Sequence, residues 1–340
     1  MIYGHGDDAY RYNIKFKANF SSNVWYERTS EKIVSHLKQQ LTHIANYPTP
    51  NADVLTKMVA NHHQLQPSQV LMTNGATEAF YNITHLFRSK NAAIGIPTFS
   101  EYEDACKSND ICIRYYNRAE VTKTSFDNDL VFLCNPNNPD GISNTIAEIK
   151  TLLADFPDTT FIIDEAYIDF TFKITSCVSL LDAFTNLIIV KSLTKLFSIP
   201  GLRLGYILCN AKIGKELQQS KMPWSVNTMA IEAGKYIFNN YKIIRPNMAV
   251  LLEYCSKLQQ QINAIDGFTV IYSETNYFLV KLDTPKASIL KDYLVHTHHL
   301  LIRDASNFRG LDGHYIRIAC QSRDKNELLI NALQQWSTLQ

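Results

Sequence analysis

The chain has 340 residues, 46% of them hydrophobic and 19% charged, with a formal net charge of +1. That length holds a large domain with a smaller partner, and the balanced charge excludes the basic footprint of a nucleic-acid binder. The opening MIYGHGDDAYRY lacks the apolar core of a signal peptide, no run is long enough to span a bilayer, and the seven cysteines stand singly without a C-x-x-C pair. A reducing, cytoplasmic setting with free thiols is therefore expected.

In chain order the apolar runs Val70–Thr73, Ala92–Ile96, Ile111–Tyr115, Leu130–Cys134, Phe161–Asp164, Leu187–Lys191 and Leu204–Cys209 read as strands. Most are apolar on both faces, as strands covered by helices must be. Helical patterns lie between several of them, including Glu78–Phe87 and a stripe of Ile146, Ile149, Leu152 and Leu153 with Asn144 as its expected cap. Alternating β and α units predict an α/β fold with a mostly parallel, seven-stranded sheet flanked by helices. After Asn227 a long helical pattern, broken near Pro246, precedes strand-like TVIY, YFLVKL, LLIRDA and HYIRIAC, with helices near Ala287–Thr297 and Asp324–Trp336. This predicts a smaller α+β domain. The expected division is an N-terminal segment 1–30 associated with the small domain and the site, a large domain 31–240, and a small domain 241–340.

In open parallel sheets, ligand groups collect beyond the carboxyl ends of the strands. There the sequence places NGATE after the first strand, NPNNPDG after the fourth, DEAYIDF at the end of the fifth, and SLTKLFSIPGLRLG after the sixth. A glycine turn feeding a helix, Gly75, Ala76 and Thr77, offers backbone N–H groups to an anion. Ser192, Thr194 and Arg203 add donors to the same cradle. Asp164 is a carboxylate able to hold a protonated ring nitrogen. Asn138 and Tyr167 can steady a phenolic oxygen, and Lys195 supplies an amine able to condense with an aldehyde. A phosphate, a pyridinium, a phenolate and an aldehyde are the four handles of pyridoxal 5'-phosphate. Cationic neighbours and desolvation would lower the pKa of Lys195 and make it nucleophilic.

Taken together, these motifs resemble the fold-type-I, aspartate-aminotransferase-like family of pyridoxal-phosphate enzymes over nearly the whole chain. The resemblance implies that Lys195 carries the cofactor, Asp164 faces its ring nitrogen, and Tyr167 joins these two as a catalytic residue. It also implies that Phe99 or Tyr102, in PTFSEYE, stacks on the ring. Tyr47, in NYPTP, matches a tyrosine that reaches a neighbouring subunit's cofactor phosphate, which implies a homodimer with shared sites. Asp140 departs from the family, which usually shows threonine there.

Within the family the resemblance is to a branch holding histidinol-phosphate aminotransferases and the L-threonine-O-3-phosphate decarboxylases of cobalamin synthesis. The strings HGD, FKANFS, KMPWSVN and LLIRDASNFRGLDGHYIRIACQS look like the decarboxylases. Asp7 stands where those show a second glycine, and Lys17 where they show serine. By the same resemblance His5, Asn19, Arg303 and Arg317 bind the substrate, a phosphorylated amino acid or amino alcohol, with arginine forks suited to phosphate and carboxylate. The expected reaction is loss of CO2 from threonine phosphate. Transamination of histidinol phosphate with 2-oxoglutarate, and a catalytically idle cofactor-binding regulator, are the alternatives. The His296–His299 cluster has no carboxylate or thiol positioned with it, and the pair His62–His63 faces two directions on a helix, so no metal is expected.

Overall fold

The computed structural model describes residues 7–27, 29–284 and 286–339. The strands in chain order are β1 (Ala18–Asn19), β2 (Val70–Thr73), β3 (Asn91–Ile96), β4 (Cys112–Asn117), β5 (Leu130–Cys134), β6 (Thr160–Asp164), β7 (Leu187–Ser192) and β8 (Gly205–Cys209). They continue with β9 (Phe268–Ile271), β10 (Tyr277–Leu282), β11 (Leu300–Leu301), β12 (Arg303–Asp304) and β13 (Tyr315–Ala319).

The larger sheet has seven strands in the order β2-β8-β7-β6-β5-β3-β4. Pairing is parallel from β7 through β4, and only β8 runs against its neighbours. Strands β2, β5 and β8 are buried at every residue, while β4, at the edge, alternates between exposed and covered positions. Helices cover both faces, giving two apolar layers that meet across the sheet. The helix Ile146–Asp155 is capped by Thr145, not Asn144. Thr145 accepts from the Glu148 N–H, and Glu148 reaches back to the Thr145 N–H in a reciprocal capping box. Asn144 instead donates its own N–H to Asn135 Oδ1 at 2.7 Å.

The smaller sheet is antiparallel, in the order β12-β13-β10-β9. The single strand expected at LLIRDA divides in two. β11 pairs in parallel with β1, and after Ile302 the chain changes sheets so that β12 pairs with β13. The N-terminal segment is thus stitched to both parts of the chain: the Ala319 N–H, in the smaller sheet, donates to Phe20 O, and the Trp25 N–H donates to Lys195 O, just after β7 of the larger sheet, both at 2.8 Å. Helices Thr228–Ile244 and Met248–Asn263 are separated at Pro246, as the missing N–H of proline requires. Among the described residues no helix is long and apolar enough to cross a membrane.

Candidate active site

At one edge of the larger sheet a cavity is lined by Ala76, Thr77, Phe99, Asn138, Asp164, Tyr167, Ser192, Thr194, Lys195 and Arg203. The topology explains the gathering. β5, β6 and β7 all end here in parallel, and antiparallel β8 begins here, with Ser192 and Thr73 both opposite Gly205. At one end of the cavity the helix Gly75–Leu86 presents its N-terminus. Gly75 has φ +82°, and a Cβ there would sit 2.6 Å from Arg203 Nη2. Only glycine lets the guanidinium close over the helix start. Ser192 Oγ and Thr194 Oγ1 lie 2.8 Å apart beside it. Hydroxyls, a guanidinium and a helix N-terminus form a site for a phosphate group.

Asp164 ends β6 and is 3% exposed. Its Oδ2 accepts from the Tyr102 hydroxyl at 2.6 Å and its Oδ1 from the Ala166 N–H at 3.0 Å. Burial nonetheless raises its pKa to about 6, outweighing these bonds and the nearby Lys195. A carboxylate so poorly hydrated gains strongly from a cationic partner such as a protonated ring nitrogen. Tyr102 is therefore not a stacking residue. Its ring is packed between Phe80 and Phe132, away from the cavity, and it holds Asp164 from behind. Of the two aromatics expected to cover a ring, the structure leaves Phe99 on the cavity wall.

Lys195 lies in the short helix Leu193–Leu196 that follows β7, with its Nζ 6.0 Å from the centre of the Tyr167 ring. Burial lowers its pKa to about 8; Arg317 and Arg203 push in the same direction, against Asp164 and Asp7. A buried amine with that balance is a much better nucleophile at neutral pH than a surface lysine.

β12 and β13 meet the cavity wall through Arg317, which bonds Asn138. Arg303 and Arg317 are register partners there, 6% and 4% exposed. Arg317 donates to Asn138 Oδ1 at 2.5 Å and to Ser21 O at 2.6 Å. Because Arg317 engages the amide oxygen, the Asn138 Nδ2 is the end presented as a donor. Arg303 donates to Asn307 Oδ1 at 2.6 Å, and burial together with Arg317 lowers its pKa to about 10. Asn19, on β1, accepts from the N–H and hydroxyl of Ser21 and donates to Asp7 Oδ1 at 2.8 Å. His5 lies outside the described residues.

Tyr47 is not gathered in. It is 89% exposed, against Trp224 at 5.6 Å between ring centroids. The KMPWSVN string acts locally on this loop. Trp224 donates its N–H to Pro50 O and its indole Nε1 to Pro48 O, fixing the segment that carries Tyr47. Asp140 also acquires a role. It is buried, and its Oδ1 accepts from Asn137 Nδ2 at 2.9 Å and the Ile142 N–H at 3.0 Å, holding the turn that presents Asn138. Sequence reasoning missed Ser21, which acts through a backbone carbonyl that no side-chain pattern encodes. It also missed Cys134 and Ala166 on the cavity wall. Cys134 was legible in principle, since it ends β5 directly beside Asp164.

The residues present fit pyridoxal phosphate: a phosphate cradle, a buried carboxylate for the ring nitrogen, donors for the ring oxygen, an aromatic face and a nucleophilic amine. A profile of aminotransferases of class I and II matches residues 15–333. The chain belongs to the aminotransferase class I and II family. Among members of this family, the threonine-phosphate decarboxylase of Salmonella typhimurium is 30% identical over 332 residues, 93% of this chain and 90% of that protein. The histidinol-phosphate aminotransferase of Caldanaerobacter subterraneus is 29% identical over 95% of this chain and 94% of its own length. In structure, the L-threonine-O-3-phosphate decarboxylase of Porphyromonas gingivalis matches with a TM-score of 0.92 and 38% identity, covering 94% of this chain and 99% of that one. Family resemblance therefore narrows the activity to a decarboxylase or an aminotransferase.

Proposed function

We propose that this chain uses pyridoxal 5'-phosphate, carried on Lys195, to decarboxylate L-threonine O-3-phosphate to (R)-1-amino-2-propanol O-phosphate and CO2, a step of cobalamin synthesis. The observation that carries the reading is the buried pair Arg303 and Arg317, register partners on β12 and β13, with Arg317 bonded to Asn138 of the cavity wall. The 38% identity to the Porphyromonas gingivalis decarboxylase supports choosing that member of the family.

When bound, pyridoxal phosphate supplies an electron sink for the pair left at Cα as a bond to it breaks. The chain's own residues decide which bond breaks and where the proton goes afterwards. Arg203, Ser192, Thr194 and the N–H groups at Gly75–Thr77 hold the cofactor phosphate. Asp164, held by Tyr102 and the Ala166 N–H, keeps a proton on the ring nitrogen. Tyr167 and the Asn138 amide donate to the ring oxygen, and Phe99 excludes water from one face. Arg303, Arg317 and Asn19, with His5, anchor the substrate's phosphate. Anchoring the phosphate in place of the carboxylate would leave the substrate's carboxylate unheld by these arginines and free to depart as CO2. Lys195, in its protonated ammonium form, would return a proton to Cα.

The same reading makes the enzyme a homodimer. Tyr47, Leu41, Ile44, Met222 and Trp224 are all exposed, Tyr47 packed against Trp224, and by the family resemblance Tyr47 would reach the neighbouring subunit's cofactor phosphate.

Incubating the cofactor-loaded enzyme with threonine phosphate tests the proposal. CO2 and aminopropanol phosphate released together, without a keto acid, support it. Glutamate formed from histidinol phosphate and 2-oxoglutarate would assign the aminotransferase activity instead. Turnover of neither substrate would leave a cofactor-binding protein without this chemistry.

A further inference from the structure

Asp7 and Asp8 are adjacent aspartates in the N-terminal segment. The backbone at Asp7 keeps a glycine-like conformation, with φ 57°. Aspartate tolerates that region better than most residues, but the position does not require it. Asp7 Oδ1 accepts from Asn19 Nδ2 at 2.8 Å, and the Asp7 N–H donates to Ser21 Oγ at 3.2 Å. Ser21 Oγ in turn donates to Asn19 Oδ1 at 2.7 Å, and Ser21 O accepts from Arg317 Nη2 at 2.6 Å. A closed ring of hydrogen bonds thus joins Asp7, Asn19 and Ser21, and one further bond reaches Arg317. The carboxylate is also close enough to Lys195 to favour its protonated form.

The neighbouring aspartate points elsewhere. Asp8 is buried in an ion pair with Lys291 at 2.5 Å, which anchors the N-terminal segment to the helix Ala287–Tyr293. Two adjacent aspartates therefore do different work: Asp8 fastens the segment, and Asp7 brings a negative charge to the Asn19 amide, beside the Ser21 carbonyl that Arg317 engages.

We propose that Asp7 is a specificity-determining residue that competes with the substrate's phosphate for the Asn19 amide, so that the pocket discriminates against small free anions. The inference rests on the reading of Asn19, Arg303 and Arg317 as the substrate-phosphate pocket. A free inorganic anion gains only the pocket's own contacts, and it must displace or endure a carboxylate to obtain them. A substrate that is also attached at the cofactor end has additional binding free energy with which to displace Asp7.

The test is calorimetric titration of the cofactor-saturated enzyme with inorganic phosphate at fixed pH and ionic strength. Asp7→Asn keeps a hydrogen-bond acceptor for Asn19 but removes the charge, and is expected to bind phosphate about tenfold tighter, the scale of one exposed charge acting on a nearby anion. Asp8→Asn breaks the Lys291 pair and is expected to loosen the segment without tightening phosphate binding. Arg303→Met is expected to weaken phosphate binding. Unchanged or weaker binding by Asp7→Asn, with the Arg303→Met loss intact, overturns the role of Asp7 and leaves the pocket reading standing. Equal tightening by Asp8→Asn also overturns it, because loosening alone would then account for the effect. Indifference to Arg303→Met overturns the pocket reading and the proposal together.

Discussion

Arg303 and Arg317 face each other across β12 and β13 as register partners, two guanidiniums buried side by side. Like charges directly opposite on a sheet are destabilising. Arg303 donates to Asn307, and Arg317 to Asn138 and the Ser21 carbonyl, all of them neutral acceptors. An anion bound between them relieves the repulsion. Inorganic phosphate is therefore expected to raise the unfolding midpoint of the wild-type protein, by mass action worth about 2.7 kcal/mol at a hundred times its Kd. Arg303→Met should itself unfold no earlier than wild type without phosphate and should lose most of the phosphate-induced rise. Differential scanning fluorimetry with and without phosphate measures both.

Asp164 gives the protein a pH signature before any cofactor is added. Its pKa is raised from 3.8 to about 6 by burial, so between those values the folded chain binds more protons than the unfolded one. Stability contributed by this group is present below about pH 4 and is lost as pH rises through 6, by about 3 kcal/mol in total. Cofactor-free protein unfolded in urea at several pH values should show that loss, and Asp164→Asn should abolish it. A cofactor cation at the carboxylate reverses the preference, so the loaded enzyme should not show it either.

Tyr102→Phe removes the 2.6 Å bond to Asp164 while keeping the packed ring. The carboxyl should then titrate at still higher pH, and pyridoxal phosphate should bind about tenfold more weakly, the worth of one hydrogen bond to a charged group. Phe99→Ala is expected to weaken cofactor binding without moving the Asp164 titration. Cofactor Kd by fluorescence quenching, set beside the pH series, separates the two aromatics.

The seven-stranded sheet was legible because its strands are apolar on both faces and each ends in a short polar motif. β5 leads into NPNNPDG, and β7 into SLTK. The cofactor side of the cavity followed from those ends. What resisted reading was orientation. Phe99 and Tyr102 are both aromatic and three residues apart, but the helix Glu101–Ser108 begins between them and turns Tyr102 toward Phe132. The split of LLIRDA into two strands was hidden for a related reason. Leu300 through Ile302 are all buried, so side-chain pattern alone does not mark the change of sheet. The purpose of Asp140 depends on a turn whose geometry is set by the fold around it.

Asp140→Ala leaves the Ile142 N–H without its acceptor in a buried turn and the Asn137 amide nitrogen with Pro97 O but not Asp140. A cost of about 1–3 kcal/mol in stability is expected, together with weaker cofactor binding through Asn138. Asp140→Thr, which restores a hydroxyl acceptor, should recover most of both. Urea denaturation and cofactor Kd for the two variants check this.

Tyr47 is expected to act in trans. Tyr47→Ala and Lys195→Ala homodimers should each be impaired, the second completely. Mixing them through mild denaturation and refolding should restore activity that neither has alone, because one site in each mixed dimer pairs an intact Lys195 with an intact Tyr47. No restoration in verified mixed dimers would place Tyr47 outside the site.

The central claim is that Lys195 is the amine that carries pyridoxal phosphate. Borohydride reduction of the cofactor-saturated protein, followed by peptide mass spectrometry, tests it most directly. The account predicts a pyridoxyl-phosphate adduct on the peptide containing Lys195 and none in Lys195→Ala. An adduct confined to another lysine, or none in the wild-type protein, would contradict it.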